Sequence, residues 1–201
     1  DSNNDGSGDF SNSAGTFTTG GNTLSITAND FTLSGAINTG SGTAKIFVSD
    51  AGTIGLGSTS ANMTISGAEL GNITAGTLTI GDSTAGAMTV NGISSSDSTN
   101  ISTVDLNSAS IAFSTGGSTF KALTATANTG TITGVVPLTV TTGNSNFTTS
   151  GANQAITLSD TSNNFTGAVS LNTTGSLADA TLTTNSSIIL GASSIGGDQS
   201  V

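Results

Sequence analysis

Short apolar pulses recur about every ten residues along this chain, and none is longer than one strand. They include Thr23 to Thr27, Phe31 to Ile37, Ala44 to Ser49, Gly52 to Gly57 and Asn62 to Ser66. The series continues through Gly76 to Gly81 and Ala87 to Gly92 to "GAVSLN", "ATLTT" and "SIILG" near the carboxyl end. Most alternate as a half-buried strand does. In "TLTI", Leu78 and Ile80 face one way and Thr77 and Thr79 the other. Gly, Asn and Ser-Gly turn formers separate the pulses. No stretch shows a helical period. The one proline, Pro137, leaves nearly every backbone N–H free to join a ladder.

Evenly spaced short strands fit either a sandwich or barrel, or a β-solenoid. The solenoid is the better fit because the beat keeps its character from end to end. The candidate inward residues are mid-sized Ile, Leu, Val and Ala, which suit a narrow stacked core. Asn, Ser and Thr suit polar ladders between coils. Two or three strands per turn give coils of roughly 20 to 30 residues, hence about seven to ten coils, each rising about 4.8 Å. The expected fold is all-β, a right-handed parallel β-helix. Residues 23–201 read as one continuous repeat region and 1–22 as a polar, acidic amino-terminal segment. The pattern runs unbroken into "GGDQSV", as in a piece of a longer or processed protein.

Composition narrows the functions. Ser, Thr, Gly and Asn make up 117 of 201 residues, while charged residues are 7% against about a quarter in ordinary domains. A disordered chain is usually highly charged and poorly apolar; this one is 33% hydrophobic, in pulses. The net charge is −10, with Lys45 and Lys121 the only cations and no Arg or His. Phosphate binding draws on Lys and Arg, so nucleic acid is an unsuitable partner. An anionic membrane surface is disfavoured for the same reason, and the apolar runs are too short to span a bilayer. Without Cys there is no disulfide framework.

The blocks "GAELGNITAGTLTIGDSTAGAMTVNG" (Gly67 to Gly92) and "NNFTGAVSLNTTG" with "SIILGASSIGGDQSV" resemble the repetitive regions of filamentous-haemagglutinin-like exoproteins. The resemblance extends from about Thr23 onward and concerns architecture, not a catalytic signature. It implies a right-handed parallel β-helix at a bacterial surface or outside the cell, serving as an adhesin shaft or fibre. Such proteins commonly leave the cell by two-partner secretion. The amino-terminal secretion domain of that family is not recognisable in this chain.

Candidate chemistry is sparse. A Ser-His-Asp triad is impossible without His, and Lys45 in "TAKIFVS" reads as solvent-facing. Asp82, Asp97 and Asp105 could approach one another if their coils stack in register, as a β-helix hydrolase would need; as isolated residues they read as turn formers. "DSNNDGSGD" has the alternating oxygens of a calcium loop. Asp1, Asn3, Asp5 and Asp9 are its candidate ligands and Gly6 its turn. Its twelfth position is Asn12 rather than a bidentate Glu, and the segment also reads as an acidic linker. Asn-x-Ser/Thr sequons, candidate glycosylation sites, stand at Asn62, Asn72, Asn100, Asn146, Asn164, Asn172 and Asn185. T-x-T pairs such as "TLTT" could match an ice lattice only if they recurred in every coil.

The expected role is that of a structural and adhesive segment of an extracellular or cell-surface fibre, without enzymatic activity. Its partners would be flanking domains or neighbouring copies, and host or environmental glycans; calcium is the one candidate cofactor. The main alternative is a self-assembling filament or sheath subunit. A carbohydrate-active β-helix enzyme and an ice-binding protein fit less well.

Overall fold

Alternation becomes burial wherever the chain runs straight. In Thr43–Val48 the side chains of Ala44, Ile46 and Val48 are buried, while Thr43, Lys45 and Phe47 face outward. The same pattern governs Leu123–Ala127 and Ile156–Leu158. A single three- to eight-residue strand cannot cover its own apolar edge, so each coil must lie on the next. The computed structural model, which describes residues 7–201, shows the result: parallel strands stacked as a β-solenoid of about nine turns.

The longest face stacks Leu24–Ala28, Thr43–Val48, Ile73–Ile80, Ile101–Ser108, Leu123–Ala127, Ser145–Ala152, Ala168–Thr174 and Ile189–Leu190. A second face runs from Met63–Ile65 through Ile54–Gly57, Met88–Asn91, Ile111–Phe113, Ile132–Gly134, Ile156–Leu158 and Ala180–Leu182 to Gln199–Ser200. Ser118–Phe120, Leu138–Val140 and Asn164–Phe165 form a shorter third face. All pairings between named strands are parallel; for example, Val104 pairs with Leu123 and Leu123 with Ser145.

Register aligns like with like inside the rod. One inward row of the second face reads Met63, Ile54, Met88, Ile111, Ile132, Ile156, Ala180. The next reads Ile65, Leu56, Val90, Phe113, Gly134, Leu158, Leu182. Gly134 makes room in that row: a Cβ there would sit 2.8 Å from Leu158 Cδ2. On the long face Ala125 lies between Leu106 and Phe147, again small between large. Phe147 meets Phe165 edge to face, with ring centroids 6.0 Å apart.

The structure departs from the sequence expectation at two places. Phe10–Asn12 and Thr16–Thr18 pair in register with Phe31–Leu33 and Ala36–Asn38. The ladder therefore begins at Phe10, inside the segment read as an acidic lead-in, because Phe10 and Phe17 each place one apolar side chain in an inward row. The second departure is a short helix, Gly67–Gly71, in the longest coil, which takes 34 residues from Ala44 to Leu78. There Met63–Ile65 doubles back beside Ile54–Gly57 and fills a layer facing Phe31–Leu33. Side chains join that seam. Thr64 N donates to Asp30 Oδ1 at 2.9 Å, Leu33 N to Glu69 Oε1 at 3.0 Å, and Asn72 Nδ2 to the Leu33 carbonyl at 3.1 Å. Glu69, the only glutamate of the chain, also closes a capping box with Ser66.

Two polar residues test the core. Asn163 is buried in a turn and ties three coils together. Its Oδ1 accepts from Leu138 N, and its Nδ2 donates to the carbonyls of Leu158 and Thr183. Asn163→Ala should lower stability in urea unfolding by about 3 kcal/mol, since three bonds vanish and buried partners are left unmade. Ser145 is its opposite: it sits in an apolar row between Leu123 and Val169, and its hydroxyl has no partner. Ser145→Ala should raise stability by about 1 kcal/mol in the same measurement.

Candidate functional site

The residues singled out as chemistry-bearing are scattered by the fold. Of the calcium candidates, Asp1, Asn3 and Asp5, with Gly6, lie outside the described residues. Asp9 is exposed, and its Oδ1 accepts from Asn29 Nδ2 at 3.4 Å. Asn12, the twelfth position of that loop, turns inward and donates from Nδ2 to the Ala36 carbonyl. Among the described residues, no three acidic side chains come together as a metal site.

The three aspartates do not converge. Asp82 folds onto its own turn, where Oδ1 accepts from Thr84 N, Ala85 N and Thr84 Oγ1. Asp97 does the same at Ser94 N, at 2.7 Å. Asp105 instead stands mid-strand on the outer surface of the long face. Carboxylates bound to nearby backbone donors are held where their turns put them, so stacking cannot bring these three into one catalytic group.

Asp105 belongs to an outward row that runs Ser25, Lys45, Thr79, Asp105, Thr124, Asn146, Ser170. Partial burial among these neighbours pushes its carboxyl above the usual carboxylate range. The Thr79 hydroxyl, 3.4 Å from Oδ2, and the Lys45 ammonium pull the other way. The parallel outward row carries Asn107, Thr126, Thr148 and Asn172. Asn172 Nδ2 crosses to Asn146 Oδ1 at 2.9 Å. This surface carries few charges and is dense in hydroxyl and amide groups. Lys121, by contrast, sits at a coil edge and donates from Nζ to the Thr99 carbonyl.

The sequon asparagines divide by the use of their amides. Asn72, Asn100 and Asn172 donate from Nδ2 to protein oxygens, and Asn146 accepts from Asn172. Asn62 is exposed, with Oδ1 held by Thr53. Asn164 and Asn185 are exposed as well. The threonine row of the second face runs Thr64, Gly55, Thr89, Ala112, Thr133, Thr157, Thr181, Ser200. Gly55 and Ala112 interrupt it, so an unbroken T-x-T array is not formed.

What no motif signalled is the apolar exposure in the first and last described coils. At the amino-terminal end, Phe10 stacks on Phe31 with centroids 5.2 Å apart, while Phe17 is 52% exposed. Between them lies a cavity of about 380 Å³ lined by residues 10–12 and 14–17. At the other end Leu190 occupies an inward row and is still 49% exposed. The signal was present in the apolar residues of "TFT" and "SIILG", but exposure follows only from which coil stands last.

Residues 102–172, the central coils from Ile101–Ser108 to Ala168–Thr174, match a family described as Repeats of unknown function (DUF5649). No curated protein and no solved structure matches the chain.

The raised Asp105 carboxyl has a sign that can be checked. An acid whose folded-state pKa exceeds its unfolded value favours the fold when protonated, and that stability is lost as pH rises through the folded pKa. Asp105→Asn should therefore raise the Tm at pH 7. The gain over the parent should shrink to nothing below about pH 4, the ordinary range of an Asp carboxyl. A constant difference across a pH series of thermal melts would contradict this account of the carboxyl.

Proposed function

We propose that this chain is a rigid shaft segment of an extracellular, fibrous bacterial adhesin. The observation that carries the reading is the rod itself. About nine coils share one continuous apolar core, and the long face is covered by hydroxyl and amide side chains in register. A shaft needs stiffness along its axis, and backbone ladders on several faces supply it. Adhesion through a shaft needs many weak contacts rather than one pocket, and a repeated polar flank offers them to glycan hydroxyls. The resemblance of the Gly67 to Gly92 block to filamentous-haemagglutinin-like repeats supports the same reading. A match to a family of repeats is compatible with it but assigns no activity.

The exposed Asn164 and Asn185 are the positions where surface glycans would be carried. Calcium would engage the amino-terminal acidic segment through the candidate ligands Asp1, Asn3, Asp5 and Asp9.

The reading is tested on cells that make the protein. An antibody raised against the chain should label intact, unpermeabilised cells or the material they shed. Labelling confined to permeabilised cells would overturn a surface role.

A further inference from the structure

Lys45 and Asp105 are the only charged residues in any described strand, and both stand on one outward row of the long face with Thr79 between them. Phe47, two residues beyond Lys45 in the same strand, also faces outward. It pairs with Thr27 and lies between the buried Ile46 and Val48. Of the eight phenylalanines, it alone is turned that way. Phe10 and Phe17 pair with the buried Phe31 and Ile37, and the rest are buried themselves. A face otherwise built of hydroxyls and amides thus gathers its aromatic ring and both its charges at neighbouring positions. We propose that this patch is a binding subsite for one pyranose ring of a neutral glycan, with Phe47 as its stacking platform. The inference rests on the adhesive reading above and narrows its glycan contact to named residues.

The spacing suits a single sugar ring. Strands stack about 4.8 Å apart, and same-side residues follow at about 6.6 Å along a strand, so Lys45, Phe47, Asp105 and Asn107 mark the corners of a rectangle of about 10 by 7 Å. Thr79 and Gly81 lie across its middle. Gly81 N donates to the Ile46 carbonyl at 2.8 Å, which sets it in the row between Phe47 and Asn107. Its φ is +74°, and a Cβ there would collide with the Asn107 carbonyl. No side chain therefore stands between the ring of Phe47 and Asn107.

The chemistry matches a sugar on both of its sides. A pyranose carries C–H groups on its faces and hydroxyls around its rim. The C–H groups pack on the electron-rich face of an aromatic ring. The rim needs donors and acceptors together: the Lys45 ammonium donates, the Asp105 carboxylate accepts and the Thr79 hydroxyl does both. The Thr79 hydroxyl is 3.4 Å from Asp105 Oδ2, a long bond that a sugar hydroxyl can better. Asn107 Oδ1 accepts from Asn128 Nδ2 at 2.6 Å, so its own Nδ2 is the group that donates outward. Charge selects among sugars. The chain carries −10, and an acidic sugar would meet Asp105 with Lys45 alone to offset the repulsion. The second face, with Thr133, Thr157 and Thr181 in its outward row, offers hydroxyls without a ring or a charge and is the internal control.

The test titrates the isotope-labelled 201-residue chain with cellohexaose, maltohexaose and chitohexaose, and with hexagalacturonate as the acidic counterpart, while backbone amide shifts are followed by NMR. At least one neutral hexasaccharide should move the amides of Lys45, Phe47, Thr79 and Asp105, leave those of Thr157 and Thr181 in place, and bind more tightly than hexagalacturonate. Phe47→Ala and Asp105→Asn should each weaken that binding about tenfold, and Phe47→Trp should retain it. Thermal melts check that each variant folds; Phe47→Trp and Asp105→Asn probe the patch even where Phe47→Ala does not fold. Shifts spread evenly along the long face, tighter binding of hexagalacturonate, or undiminished binding by folded Phe47→Ala or Asp105→Asn would overturn the subsite. So would the absence of any shift at millimolar neutral sugar. None of these outcomes touches the shaft reading, which stands or falls on surface labelling of cells. A chain that binds sugar at Phe47 but is found only inside cells would overturn the adhesin and keep the subsite.

Discussion

The structure depends on one constraint: each coil must lie in parallel register on the coil before it. Backbone N–H and C=O groups on the long and second faces find partners one coil away, as in Val104 N to the Ala122 carbonyl and Ile132 N to the Ala155 carbonyl. Register then brings equivalent side chains into rows about 4.8 Å apart. Two like charges at that distance repel by several kcal/mol even at an effective dielectric of about 20. A face built of rows can hold few charges, which gives the 7% charged composition a physical cause. Thr, Ser and Asn satisfy the same positions without repulsion, and Thr also favours extended backbone. Where charges do enter the long face, Thr79 separates Lys45 from Asp105.

Packing follows from the same rows. Aliphatic side chains of one size stack on themselves, and larger rings require a small neighbour. Phe113 has Gly134 above it, and Phe147 has Ala125 below. Interiors pack at crystal-like density, so such compensation must be local, coil by coil. The chain can then vary its coil length without losing the core. Coils range from 19 residues, Val104 to Leu123, to 34, Ala44 to Leu78, and the excess is taken up by the doubled-back Met63–Ile65 and its short helix.

Much of this was legible in the residues. "TLTI" and "AKIFVS" announce their buried and exposed sides by alternation alone, and the coil count follows from the beat. The helix was not legible, because five residues are too few to show a 3.6-residue period. Its mark was Ser66 followed by Glu69, and that spacing is easily lost in a Ser-rich chain. The strands at Phe10 and Phe17 were hidden for a related reason: one apolar residue among Ser, Thr and Gly carries no alternation. Their pairing is decided by Phe31 and Ile37 in the next coil. The turn-former reading holds for Asp82 and Asp97, which are tied to their own turns; spacing alone left their convergence open, because sequence shows spacing but not tethering.

The seam between Phe31–Leu33 and Met63–Ile65 shows how far the ladder rule can bend. There the rod carries an extra layer on one face, and side chains stand in for a missing strand partner. Asp30 and Glu69 supply carboxylate oxygens to backbone N–H groups, and Asn72 supplies an amide to a backbone carbonyl. Charge-assisted bonds to backbone donors are shorter and stronger than neutral ones, so a few of them can replace a short ladder. The apolar rows continue beneath: Phe31, Leu33, Met63 and Ile65 are all buried. The core therefore stays continuous across the point where the backbone ladder is broken. What a solenoid cannot forgo is the stacking of its interior. The hydrogen bonds at its surface can be rebuilt from whatever oxygen the sequence provides.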